Sequence, residues 1–165
     1  MKLEELFMEM YRYYSGEPNR IQHLIKVHGF ASQIGRAEGL DERTLQILEM
    51  AAIVHDIGIK KSLEKYESYN GEYQELEGPP EAKAILEKLD YPSDIIERVC
   101  YLVGNHHSFY QIGGDDHQIL IEADFLVNMH EGGMSKEAIL SVTREIFRTK
   151  AAKRICEAMF QIPNA

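Results

Sequence analysis

This chain is short of the residues that staple small folds or anchor them elsewhere. Cysteine occurs twice, at Cys100 and Cys156, far apart and in no CxxC pattern. Both lie among apolar residues in helical patterns, which argues for buried free thiols over a disulfide or a zinc clamp. No apolar run approaches the roughly 20 residues needed to span a bilayer. Basic charge is also scarce. The 18 Lys and Arg face 27 Asp and Glu, and a formal net charge of -9 argues against a broad surface for nucleic acid polymers. It leaves room for a small phosphorylated substrate, because a metal supplies strong local positive charge. Met1-Lys2-Leu3-Glu4-Glu5 has acids where a signal peptide has a basic and then an apolar stretch. The expected location is therefore intracellular, in the cytoplasm. Sustained strand-like alternation, internal repeats and low-complexity segments are all missing.

What is present is helical periodicity. The 165 residues, 44% of them apolar, suit one domain, residues 1–165, with a sizeable core. Leu3, Leu6, Phe7, Met10 and Tyr11 predict a first helix over residues 2–14. A second is expected from about Arg20 to Glu38, ended by Gly39. Asp41 caps a third that runs to His55. Ile59 to Tyr66 suits a short helix, followed by a long polar loop that reads for most of its residues as a solvated connection, with a lid as the functional alternative, and Asn70-Gly71 marks a turn in it. Gly78-Pro79-Pro80 is expected to open the fourth main helix, and Ser93 to cap the fifth. The sixth is expected from Asp116 to Glu131, the next from Ser135 to about Arg148, and the last from Thr149 to about Phe160. The fold class is all-α, with about seven or eight helices around one core.

The chemistry gathers on inward-facing positions of those helices. Ala51-Ala52-Ile53-Val54-His55-Asp56-Ile57-Gly58 ends an apolar run with a histidine and an aspartate side by side. Burying such a pair without a partner is costly. His23 shares a helix face with Val27, Phe30 and Ile34. Alone it would read as a satisfied core histidine. Asp124 lies within an apolar stripe of Leu120, Ile121 and Val127, with no basic residue at helical spacing to pair it. His23, His55, Asp56 and Asp124 thus form a candidate ligand set from three helices. Two histidines and two carboxylates suit Mn, Fe, Zn, Ni or Co better than calcium or magnesium. His106-His107 also closes an apolar helix, and Lys60 and Lys61 follow the His-Asp pair as candidate phosphate contacts.

Taken in order, His23, the adjacent His55-Asp56 and Asp124 resemble the signature of the HD superfamily of metal-dependent phosphohydrolases. Arg20-Ile21-Gln22-His23 is similar to that family's first segment, with an Arg three before the histidine. Ala52 to Gly58, Val103-Gly104-Asn105-His106-His107 and Glu122-Ala123-Asp124 resemble its later ones. The resemblance spans roughly residues 20–128, with the helices of residues 135–160 packed against it. It implies an all-α fold, one divalent metal on the four named residues and hydrolysis of a phosphate ester, with nucleotides among the family's substrates. His106 and His107 match the histidines of a second metal in dinuclear members. A further histidine of those members falls at Gln74 here, a poor ligand, with Glu75 and Glu77 as nearby substitutes. A phosphate-binding lysine of several branches falls at Ile59, one before Lys60.

The expected mechanism is attack on phosphorus by metal-activated water. Asp124 or Asp56 would orient the water, and His106 would act as general acid or oxyanion contact. Arg20, Lys60 and Lys61 would neutralise phosphate, although Arg20 reads equally well as an ion-pair partner. Tyr66, Tyr69 and Tyr73 would cover a base or sugar. Two other readings compete: a dinuclear iron oxygenase on the same scaffold, and a non-enzymatic metal-stabilised nucleotide-binding module. The partner expected is a small phosphorylated molecule, with homo-oligomerisation left open.

Overall fold

Helices form where apolar side chains recur every three or four positions and a polar residue caps the start. A computed structural model describes residues 2–163, the side chain of Lys2 excepted. Its elements are α1 (Lys2–Tyr13), α2 (Pro18–Ala37), α3 (Glu42–Val54), α4 (Gly58–Tyr66), α5 (Gly71–Lys88), α6 (Ser93–Val103), α7 (Asp115–Glu131), α8 (Lys136–Ile146) and α9 (Lys150–Phe160). The described residues hold no strand, and the class is all-α as expected. Asp41, Ser135 and Thr149 cap α3, α8 and α9 by accepting backbone N–H bonds. No helix among the described residues is long and apolar enough to cross a membrane.

α7 is the axis of the molecule. Nearly every residue from Asp116 to Met129 is buried, as in a helix surrounded by others. α2 and α3 pack on it and on each other, α6 packs on α3, and α9 closes the far side. The core runs through Val27, Ala31, Ile34, Leu48, Ala51, Ala52, Leu120, Ala123 and Val127. Cys156 is buried and Cys100 half-buried, and both are free thiols.

The stretch after α4 departs from expectation. It is no lid. Residues 67–70 alone join α4 to α5, and α5 begins at Gly71, well before the prolines. Asn70 makes this start, its side chain accepting the Glu72 N–H at 3.0 Å. Pro79 and Pro80 lie inside the helix, where neither can donate to the preceding turn. Packing outweighs that loss. A Cβ at Gly58 would stand 2.3 Å from the Gln74 carbonyl oxygen, and one at Gly78 would stand 2.6 Å from Val103 Cγ1. Two glycines therefore let α5 lie directly on α4 and α6, next to the histidines.

Candidate metal centre

Four side chains from α2, the end of α3 and α7 point their donor atoms at one place. His23 Nε2 lies 3.3 Å from His55 Nε2, 3.3 Å from Asp56 Oδ2 and 3.1 Å from Asp124 Oδ1. His55 Nε2 is 3.4 Å from each of the two carboxylate oxygens. His23, His55 and Asp56 each offer one donor atom within 4.8 Å of the others, and Asp124 Oδ1 lies 3.1 Å and 3.4 Å from the two histidines, so the four residues expected as ligands are brought to one place.

The hydrogen bonds behind the cage fix which atoms face it. His55 Nδ1 bonds the Ala52 carbonyl at 2.8 Å, and His106 Nδ1 bonds the Val103 carbonyl at 2.7 Å. A carbonyl only accepts, so each Nδ1 carries the proton. His23 Nδ1 meets the Glu131 carboxylate at 2.9 Å, with the same consequence. In the neutral rings all three Nε2 atoms are therefore lone pairs turned inward. Together with the carboxylate oxygens they make a cage of acceptors only, which a divalent metal ion satisfies. His106 Nε2 is buried, has no hydrogen-bond partner, and faces Asp56 Oδ1 at 3.5 Å.

Protons are the competing occupant. Burial alone would drive His55 neutral, yet the Asp56 charge and hydrogen bonds to Asp124 and Asp56 hold its pKa well above the usual value. His23 is also raised, with bonding to Asp124 and the charge of Asp56 outweighing burial. Burial would raise Asp56, but the charge of His55 and the close approach of His106 and His55 hold it well below the carboxylate range. Asp124 is lowered against burial by its bonds to His23 and His55. The cage attracts positive charge whichever form that charge takes.

A second group adjoins the first. One ligand atom each from Asp56, His106 and His107 lies within 4.8 Å of the others. Gln74, the residue at the missing histidine, is buried against His107. Its amide nitrogen donates to the Tyr69 carbonyl at 2.7 Å, so its oxygen accepts from His107 Nε2 at 3.1 Å. His107 is left with Nδ1 as its lone pair. Its pKa is lowered to about 4, by burial and then by the charge of His106. The glutamates considered as substitutes face elsewhere. Glu75 accepts the His107 backbone N–H at 2.9 Å and the Ser108 hydroxyl at 3.2 Å, steadying the turn that carries the histidines. Glu77 pairs with Lys65 at 2.7 Å and with the Tyr66 hydroxyl at 3.0 Å.

A cleft of about 520 Å³ opens beside the cage, lined by Tyr14, Glu17, Asn19, Arg20, His23, Asp56, Asn128 and Glu131 among others. Arg20 stands on its wall and pairs with Glu17 at 2.6 Å, the ion-pair role expected of it. Lys60 and Lys61 do not line the cleft. Lys60 donates to the Tyr13 carbonyl at 3.1 Å, and Lys61 pairs with Glu64 at 3.1 Å. Nor do the three tyrosines expected over a base or sugar line it. Tyr66 and Tyr73 stack on each other at 4.1 Å, and Tyr69 is exposed. Sequence reasoning missed Tyr14 and Glu131, and it gave Asn128, on the same stripe as Asp124, no role. Asn128 donates to Asp124 at 2.9 Å from the next turn of α7, a four-residue spacing that could have marked it.

Comparison with curated proteins and with solved structures gave no match. A family model described as the HD domain matches residues 20–149. That match takes in the histidine of α2, the His-Asp pair after α3 and the aspartate of α7, and it covers most of the sequence; the chain belongs to the HD domain family.

Proposed function

We propose that this HD-domain protein hydrolyses a phosphate ester of a small molecule, a nucleotide or related phosphate, with the help of a divalent transition metal. The observation that carries the reading is the acceptor-only cage of His23, His55, Asp56 and Asp124 beside a cleft with Arg20 on its wall. A bound ion would polarise a phosphoryl oxygen and lower the pKa of water toward neutrality. The side chains supply the rest. Arg20 offsets phosphate charge with a planar guanidinium, held in place by Glu17. Asp124, steadied by Asn128, and Asp56 accept from the attacking water and orient it toward phosphorus. His106 presents Nε2 to the same space; once protonated there as well as on Nδ1, it would donate that proton to the leaving oxygen as general acid.

A second reading has its own support. The Asp56, His106 and His107 group and the orphaned Nε2 of His106 suit a second ion. A dinuclear centre is compatible with hydrolysis or with iron-dependent oxygenation.

Asp56→Ala is the deciding variant. It is expected to lose bound metal and phosphatase activity together while keeping wild-type helix content by circular dichroism. Activity retained in Asp56→Ala would overturn the mechanism. Elemental analysis of protein purified without chelator separates the two readings. About one ion per chain favours the single site, and about two, as iron with oxygen consumption, favours the oxygenase.

A further inference from the structure

Neighbouring side chains on an α-helix diverge by about 100°, so a regular helix would not aim His55 and Asp56 at one point. Regular helix stops at Val54, and residues 55–57 form the turn into α4. Two consecutive tyrosines at the end of α1 hold that turn. The Tyr14 hydroxyl donates to the Asp56 carbonyl at 2.9 Å, and the Tyr13 hydroxyl donates to the Ile57 carbonyl at 3.1 Å. The Asp56 carbonyl also accepts the Ile59 N–H at 3.0 Å, which uses both of its lone pairs. Tyr14 is 2% exposed. Its ring lies edge-on to Tyr13 at 5.1 Å, with the Arg20 guanidinium 5.9 Å above it. Tyr13 also stands 3.4 Å from Glu81, so Tyr14 is the more dedicated of the pair. α1 ends before residue 20, outside the span that the family model matches.

We propose that α1 is a working part of the metal centre. Tyr14, with Tyr13 beside it, is a positioning residue that keeps the His55–Asp56 turn in the shape that brings both ligands to one ion. The inference rests on the cage being a metal site. Removing the Tyr14 hydroxyl leaves the ring in place, takes one of two bonds from the Asp56 carbonyl, and frees the turn to shift.

The test uses Tyr14→Phe in the full chain, with Co²⁺ as probe. The expected result is a Co²⁺ affinity about tenfold below wild type, the size of effect seen when a ligand's supporting bond is lost. The visible absorption of bound Co²⁺ should shift as well, because it reports the donor arrangement directly. Helix content should be unchanged, and hydrolysis of a phosphate ester should lose kcat with KM held within about twofold. Tyr13→Phe should shift the same spectrum by less. Wild-type affinity and spectrum in Tyr14→Phe would overturn the clamp while leaving the metal centre standing. Failure of the wild type to bind Co²⁺ would overturn the metal centre, and the clamp with it.

Discussion

Glu122 and Asp124 sit two residues apart on α7, and their burial is put to different uses. Glu122 is fully buried and accepts from the Gln118 side chain at 2.8 Å, from the Thr149 N–H at 3.0 Å and from the Arg148 N–H. It ties α7 to the segment between α8 and α9. Glu122→Ala would orphan these donors and is expected to cost about 2–4 kcal/mol in urea unfolding, with Co²⁺ affinity near wild type. A loss of metal with little loss of stability would contradict that division of roles. Asp124 was legible as a candidate ligand because its stripe is apolar and lacks a basic partner. Gln118 sits four residues back on α7, but the other partners of Glu122 lie on another helix junction, and no local spacing announces those. Tyr14 and Glu131 were hidden for the same reason, since each acts across helices on an atom of a distant residue. His117 belongs with them. It accepts the Gly113 N–H on Nδ1 at 3.0 Å and donates from Nε2 to the Asn105 carbonyl at 2.7 Å, pinning both ends of the connection between α6 and α7 that carries His106-His107. Burial lowers its pKa. A histidine with a depressed folded pKa contributes stability that is complete above about pH 6.5 and is lost as pH falls toward the folded value. Gly113 should therefore gain exchange protection above that pH and lose it in acid. A His117 that titrates at or above about 6.5 by NMR would refute this.

At the scale of elements, capping made most of the fold readable. Asp41, Ser135 and Thr149 mark their helices in the sequence and accept the first-turn amides in the structure. α5 was misread because two prolines normally open a helix, whereas here they lie within one. The reason is tertiary: Gly58 and Gly78 bring three helices so close that continuing the helix costs less than leaving the contact. The same contact sets the distance of Gln74 from His107. Gly58→Ala would drive a methyl group into the Gln74 carbonyl. It is expected to cost about 1–3 kcal/mol, or roughly 2–9 °C in Tm, and to weaken any ion held by His107 more than one held by His23. Thermal unfolding equal to wild type would mean that α5 slides freely, against the packing described.

For the whole molecule, an ion held in the proposed cage would couple metal binding to folding. Protein stripped with chelator should melt below the loaded form. Co²⁺ at about 100 times its Kd should add about 2.7 kcal/mol, which raises Tm by roughly 5–10 °C. Asp56→Ala should show no such rise. The sequence revealed the four cage residues in combination: Asp124 breaks the apolar stripe of α7, His55-Asp56 closes the apolar run of α3, and His23 gains its meaning from them. The cleft was not legible, since its wall comes from the α1–α2 turn and the end of α7, which meet only after folding. That distance along the chain also bears on kinetics. Neighbouring helices such as α2 and α3 can pair through short connections, but the cage needs His23 and Asp124 side by side across most of the sequence. Contacts of such long range form late, because the intervening chain must first be closed into a loop. A chain leaving the ribosome can therefore build its first helices early, yet it assembles the complete cage only after α7 has emerged. Capture of a metal ion would then mark the end of folding.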